Sequence, residues 1–179
     1  MDSAGEIGKV VVTGREVYME RRTLSRLRRS LPGTRVHRTG FRAVYVIDGP
    51  GDPLDLARRV GRECSASIGR TVAVLAEVES EAEPVQAAAV DVGMQQIAEG
   101  ESFCFRVHKR GSHRLKDDTP RIERELGGAI WEALHRRDGK PPKVDLTDPD
   151  VTVVAEVLGA KTAVGIMRKI WREVVQDPP

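Results

Sequence analysis

Two hydrophobic periodicities alternate along this chain, and together they leave few folds open. A strand buries every second residue and a helix buries one stripe every 3.6 residues, so each change of period marks a new element. Residues 9–13 form a short Val-rich strand. From about 20 to 31 the period changes. Leu24, Leu27 and Leu31 fall on one helical face, and Arg22, Arg26 and Arg29 fall on the opposite one. Pro32-Gly33 stops this helix. Strand signals return over 34–48, most clearly at 43–47, and Gly49-Pro50-Gly51-Asp52-Pro53 reads as a turn. A second helix places Leu56, Val60, Cys64 and Ile68 at steps of four and ends at Gly69. Residues 71–78 alternate Val72, Val74, Ala76 and Val78 on one strand face. The order β-α-β-(β)-α-β predicts a ferredoxin-like α+β unit.

The polar, acidic stretch 80–84 is the expected domain boundary, dividing the chain into 1–82, 83–172 and a tail at 173–179. Beyond it the spacing predicts a helix over 85–98 and a strand over 103–108, where Phe103, Phe105 and Val107 alternate. A basic turn, 109–116, leads to a well-marked helix start. Thr119 is the expected N-cap, Pro120 suits the first helical position, and Glu123 and Glu125 favour the positive end of the dipole. This helix runs to about Arg137 on a stripe of Ile122, Leu126, Ile130, Ala133 and Leu134, with Gly139 placed to cap it. Residues 144–146, 152–158 and 162–167 read as strands. Alternation of helices and strands predicts a mostly parallel sheet here, and the fold class is α/β (α+β).

A length of 179 residues suits one domain or two small ones, and 4% aromatics leaves the core to Val, Leu, Ile and Ala. The net charge of +2 hides a strong asymmetry. Between Arg21 and Arg42 there are eight arginines and no acid. Between Arg106 and Lys116 there are five basic residues and two histidines, again with no acid. From Glu77 to Glu101 every charged residue is acidic. Clustered Arg and Lys suit a polyphosphate partner, because each contact releases condensed counterions. The two cysteines form no CxxC, the chain opens on no signal-like segment, and no apolar run approaches the ~20 residues that span a bilayer. A soluble, cytoplasmic protein without a membrane partner is expected.

Several chemistries have no motif. GxxxxGK[ST], a Gly-rich dinucleotide fingerprint, HxE…PCxxC and GxSxG are all missing. Cys104 and His108 share a strand face, but only His113 lies near them, too few ligands for a metal site. Cys104 reads as core and His108 as surface. Asp145, Asp148 and Asp150 read as turn residues around Pro149 in preference to paired catalytic carboxylates. No catalytic residue, metal or cofactor is therefore expected.

Three stretches carry a family resemblance: FCFRVHKRGSHRL at 103–115, IERELG at 122–127 and KVDLTDPDVTVV at 143–154. Together they resemble a THUMP domain over about 83–169, and a ferredoxin-like unit such as the first half usually precedes that domain. The resemblance implies tRNA binding at the acceptor end. THUMP domains occur in 4-thiouridine synthetases, some tRNA methyltransferases and a cytidine deaminase, where a separate domain does the chemistry. This chain stops where such a domain would begin. It is thus similar to the stand-alone type, the adaptor that helps an RNA acetyltransferase make N4-acetylcytidine in tRNA. The alternatives are an RNA-modifying enzyme with an unrecognised site, or the RNA-binding subunit of a tRNA thiolation, methylation or deamination system. A protein-interaction module is a further reading, compatible with the adaptor, in which the acidic stretch Glu77 to Glu101 docks a partner enzyme.

The expected RNA contacts are Lys109, Arg110, Gly111, His113, Arg114 and Lys116 on the basic turn, Arg121 and Arg124 at the start of the next helix, and the Arg22, Arg26, Arg29 stripe. A helix N-terminus with free N–H groups favours phosphate, and glycine lets the backbone approach it closely. With few aromatics to stack on bases, recognition by shape and phosphate is expected.

Overall fold

The computed structural model describes residues 6–173. They gather into two compact units: the described residues up to Val74 together with those from Trp171, and Leu75–Ile170. Of the expected tail, 174–179 lies outside the described residues.

The first unit contains β1 (Ile7–Gly14), α1 (Glu20–Ser30), β2 (Arg35–Arg38), β3 (Val44–Pro50), α2 (Pro53–Cys64) and the beginning of β4 (Ile68–Glu79). Its strands lie in the order β2-β3-β1-β4 with every pairing antiparallel, which is the ferredoxin-like arrangement. Val10 and Val12 of β1 are buried with Leu24, Leu27 and Leu31 of α1 and with Leu56, Ala57, Val60 and Cys64 of α2. Asp52 caps α2, its carboxylate accepting the N–H groups of Leu54 (2.6 Å) and Asp55 (3.3 Å). The 34–48 stretch is two strands, and the loop between them contains Ala43 at φ 55. Glu20 supports that strained residue by accepting its N–H at 2.9 Å.

Two local expectations change here. Gly49 and Pro50 end β3, because Gly49 pairs with Gly8 across the ladder. Ile68 is the first residue of β4, paired with Gly14, and is not part of α2. The helix stops at Cys64, whose carbonyl accepts from Ser67 N–H at 2.8 Å. Ile68 is buried anyway, so its spacing of four matched the burial and not the element.

The second unit holds the end of β4, α3 (Ala82–Gln96), β5 (Ser102–His108), α4 (Thr119–Asp138), β6 (Lys143–Val144), β7 (Val151–Leu158) and β8 (Lys161–Arg168). A single helical turn, α5 (Ile170–Glu173), ends the described chain. β5 pairs in parallel with β6 and β7, whereas β7 and β8 pair antiparallel along their whole length. The expected mostly parallel sheet is therefore corrected: this unit is mixed, and antiparallel pairing predominates along the chain. The reason is the connection at Gly159-Ala160, with Gly159 at φ 75. A turn that short joins only antiparallel neighbours, while the parallel pairs follow the long crossover through α4.

The start of α4 also shifts by one residue. Asp118 is its N-cap, with the carboxylate accepting Arg121 N–H at 2.8 Å, and Thr119 and Pro120 fall inside the first turn. Gly139 closes the helix in the left-handed conformation, as expected. The strand expected at 144–146 ends at Val144. Asp145 takes the N–H groups of Thr147 and Asp148, both at 2.9 Å, and turns the chain out of the ladder.

α3 packs on α4 at a glycine. A Cβ added at Gly93 would lie 2.9 Å from Ile130 Cγ2, a side chain that is fully buried and stiff at χ1. Gly128 of α4 has open space instead. Gly93→Ala is expected to lower the unfolding free energy by about 1–3 kcal/mol through overpacking, whereas Gly128→Ala raises it by up to ~1 kcal/mol through helix propensity. Urea unfolding of the two variants checks this, and a gain for Gly93→Ala would overturn the close α3–α4 packing.

Candidate nucleic-acid interface

The basic turn leaves β5 and enters α4, and the structure holds it at several points. Gly159 N–H donates to the Arg110 carbonyl at 2.9 Å, and Arg114 N–H donates to the Ser80 carbonyl at 3.0 Å. Lys109 Nζ donates to the Asp117 carbonyl at 2.7 Å. Leu115 is buried and anchors the far side. Between these ties Gly111 takes φ 73, the left-handed region where a Cβ would be strained. The turn is thus an ordered platform for its side chains.

The cations on that platform are not equivalent. Arg110 Nη1 lies 2.5 Å from Glu156 Oε2, and the Glu156 side chain is 0% exposed while that of Arg110 is 21% exposed. A buried carboxylate is tolerable only when paired, so much of the Arg110 charge is committed inside the protein. Arg114 also pairs with an acid, Glu81 at 2.7 Å, but its side chain is 81% exposed. An ion pair so exposed contributes little, and a phosphate can replace it. Arg121 sits between Glu125 (2.8 Å) and Asp117 (3.2 Å). The hydrogen bond to Glu125, then the Asp117 charge, raise its pKa. Lys116 and Arg124 are exposed and have no ion-pair partner among the described residues. His113 is half-buried beside Ser80, Ser112 and Arg114 in a cleft of about 350 Å³, with Nδ1 lacking a hydrogen-bond partner among the described residues.

The other predicted cations belong to the first unit. Arg22, Arg26 and Arg29 project from α1 into solvent. Arg26 makes one long contact, 3.5 Å to Ser67 Oγ.

Sequence reasoning missed two features. One is Glu156, whose signal was an acid interrupting the otherwise apolar strand VTVVAEVL. The other is an apolar cleft of about 420 Å³ beside α4, lined by Phe105, Pro120, Gly127, Trp131 and Leu146 with Arg124 at its side. Leu146 is 64% exposed there. The Gly127-Gly128 pair within α4 was the available clue, since two adjacent glycines weaken a helix unless something approaches it closely. An apolar floor flanked by guanidinium groups suits a flat ring such as an unstacked base.

At the other end of β5 from the basic turn, two carboxylates serve the backbone. Asp150 accepts from Ser102 N–H (2.7 Å) and Oγ (2.8 Å). Its pKa is lowered, first by that backbone bond and then by the hydroxyl. Asp145 is lowered likewise by the N–H groups of Asp148 and Thr147. Burial pushes the Cys64 thiol up to about 11 and raises that of Cys104, which rests 3.8 Å from Thr152 Oγ1. Among the described residues no group of three or more His, Cys, Asp or Glu side chains is placed to hold a metal ion, and no helix is long and apolar enough to cross a membrane.

Two predictions follow from this geometry. Arg110→Ala leaves the buried Glu156 carboxylate without that guanidinium and is expected to cost about 3–5 kcal/mol in urea unfolding. A loss below ~1 kcal/mol, the range of an exposed pair, would show that the interaction is not structural. The lowered pKa values of Asp145 and Asp150 mean that their stabilising contribution is complete above the ordinary carboxylate value of 3.8 and disappears as pH falls through the lowered values. The double variant Asp145→Asn/Asp150→Asn should melt earlier than the parent at neutral pH and show a shallower fall in Tm below about pH 4. Parallel Tm profiles over that range would rule this out.

Comparison with known proteins places the second unit. The model of the THUMP domain matches residues 79–167. A probable tRNA sulfurtransferase of Methanosarcina acetivorans is 36% identical over 66 residues, covering 37% of this chain but only 15% of that protein. The chain thus spans a small part of the relative it matches. Among solved structures, a 4-thiouridine synthetase–RNA complex with bound ATP superposes with a TM-score of 0.61 at 19% identity, covering 91% of this chain and 42% of the other. TrmN from Thermus thermophilus gives a TM-score of 0.58 at 22% identity, covering 91% and 46%. Both likenesses extend over the two units and establish a shared fold. With its basic strand-to-helix turn and its α3–β5–α4 core inside the matched region, the chain carries a THUMP domain over residues 79–167.

Proposed function

We propose that this protein is a non-catalytic tRNA-binding protein. It presents the acceptor end of tRNA to a modification enzyme, and the reaction it serves is N4-acetylcytidine formation by an RNA acetyltransferase. The observation that carries the reading is the THUMP domain at 79–167, with a pinned basic turn that displays Arg114 and Lys116 to solvent and Arg124 exposed on the adjoining α4. The apolar cleft beside α4 supports a single-stranded end as ligand, because an unpaired base can insert its ring there. The adaptor role is supported by how the acids and thiols among the described residues are used. Asp145 and Asp150 cap backbone, Glu156 neutralises Arg110, and the thiols are buried and protonated. We place the protein in the cytoplasm with the tRNA it binds.

The sulfurtransferase relative and the synthetase–RNA complex favour one second reading, in which the protein is the RNA-binding part of a tRNA thiolation system.

The test is tRNA binding by fluorescence anisotropy over a salt series, with and without the 3′ CCA end. Wild type is expected to bind tightly, lose affinity steeply with salt and bind the trimmed tRNA less well. Lys116→Ala/Arg124→Ala should make the log–log salt slope shallower by about two, one for each phosphate contact. Incubation of the protein alone with tRNA, acetyl-CoA and ATP should leave the tRNA unmodified, whereas adding the acetyltransferase should yield acetylated tRNA. Failure to bind tRNA would sink the proposal, and modification by the protein alone would sink the adaptor role.

A further inference from the structure

The arginines of the first unit do not all behave like ordinary surface residues. Several of them find partners. Arg58 pairs with Asp55 at 3.2 Å and Arg62 with Glu63 at 3.0 Å, while Arg15 and Arg59 donate to the carbonyls of Ile68 (2.8 Å) and Pro32 (3.0 Å). Arg21, Arg28 and Arg38 have no hydrogen-bond or ion-pair partner among the described residues, yet they surround one shallow cleft of about 360 Å³. Two elements bring them together. Arg21 and Arg28 are seven residues apart on α1, hence on one face two turns apart. Arg38 ends β2, where its pairing with Tyr45 of β3 fixes its position. Buried Leu24 supplies the floor, and Ser25 adds a hydroxyl.

No acid within α1 offsets this convergence. The helix contains a single carboxylate, Glu20, and that group accepts the Ala43 N–H at 2.9 Å. Like charges brought together without counter-charge repel, so a cluster of this kind is poised for an anion. Guanidinium groups present paired N–H donors that match phosphate oxygens, and three of them around a cleft give a directional site.

We propose that Arg21, Arg28 and Arg38, with Ser25, form a phosphate-binding site whose ligand is a backbone phosphate of RNA. The proposal rests on the tRNA-binding reading above and extends it to a second, separate contact. It differs from the stripe legible in the sequence, because Arg22, Arg26 and Arg29 line no such cleft with β2. The same chemistry would also accept a free phosphate or pyrophosphate, and the test separates the two sources.

Wild type, Arg21→Gln/Arg28→Gln/Arg38→Gln and Arg21→Lys/Arg28→Lys/Arg38→Lys are compared for tRNA binding over a salt series, and each is titrated with pyrophosphate by calorimetry. The Gln variant is expected to bind tRNA about 10-fold more weakly at low salt, with a log–log slope shallower by about two to three. The Lys variant should keep most of the slope and lose part of the affinity, because charge remains but the bidentate geometry does not. Wild-type affinity and slope in the Gln variant would overturn the proposal and leave the tRNA-binding reading standing. If that result came with arginine-dependent pyrophosphate heat, the ligand would be a free phosphate and the RNA assignment would fall. Absence of tRNA binding by wild type would overturn both readings together. All three side chains are exposed and unpartnered, so unchanged melting curves are expected. Should the Gln variant melt early, the single variants Arg21→Gln and Arg28→Gln decide, each expected to make the slope shallower by about one.

Discussion

A carboxylate with no solvent exposure lies in the middle of β7, and the basic turn is built around its neutralisation. Glu156 stands opposite His108 in the parallel register with β5 and opposite Ala163 in the antiparallel register with β8. Its charge is held by Arg110, two residues beyond the end of β5. The Arg110 carbonyl is in turn held by Gly159 N–H, in the turn joining β7 to β8. Side chain and backbone of one residue are therefore fixed to the same hairpin. A buried charge without its partner is strongly unfavourable, so the pair penalises any slip of the turn against the sheet. The cost of that specificity is one cation from the proposed RNA-binding set. The gain is that Gly111 through Lys116 leave the sheet from a defined point.

The two units use charge differently. In Leu75–Ile170 most arginines have an acid within reach: Arg106 with Glu123, Arg114 with Glu81, Arg121 with Glu125, Arg137 with Asp138 and Arg168 with Glu101. Of these, the Arg114 and Arg121 pairs are well exposed, and on the proposed reading RNA exchanges those two for phosphate contacts, each bringing less than a free cation would. The α1 surface has no such exchange to make. Its arginines have no ion-pair partner among the described residues and exert their field at longer range, within the limit set by salt screening. On the proposed reading, α1 supplies most of the non-specific attraction and the pinned turn with its neighbouring cleft supplies placement.

Much of this fold was legible because it rests on local periodicity. Leu24, Leu27 and Leu31 define the buried face of α1, and Phe103, Phe105 and Val107 that of β5, from spacing alone. Gly139 marked the end of α4 through its demand for a left-handed backbone. The misses share a different cause. Thr119 and Asp118 are both good caps, and only the backbone path decides whose side chain reaches Arg121 N–H. Ile68 fitted a helical stripe because burial in β4 gives the same apolar signal. The antiparallel β7–β8 pairing was implicit in a two-residue turn but was outweighed by the alternation of helices and strands. Within the candidate site, Arg110 looked like any other cation until its non-local partner, 46 residues away, was in view. The Arg21–Arg28–Arg38 convergence was equally hidden, since no helical wheel contains β2.

The charged groups finally divide by chemistry, and the division bears on what this surface can do. A group that relays protons at neutral pH needs a pKa near neutrality and access to the reacting atom. Asp145 and Asp150 are driven the other way by the N–H groups they cap, and burial drives the Cys64 and Cys104 thiols up, away from the reactive thiolate. The basic turn and the start of α4 present Arg114, Lys116 and Arg124 to solvent, guanidinium and ammonium groups that hold their charge at physiological pH and exchange no protons. Such a surface recognises polyanions with an affinity governed by salt far more than by pH. On the proposed reading, that behaviour suits a protein that holds tRNA while another active site does the chemistry.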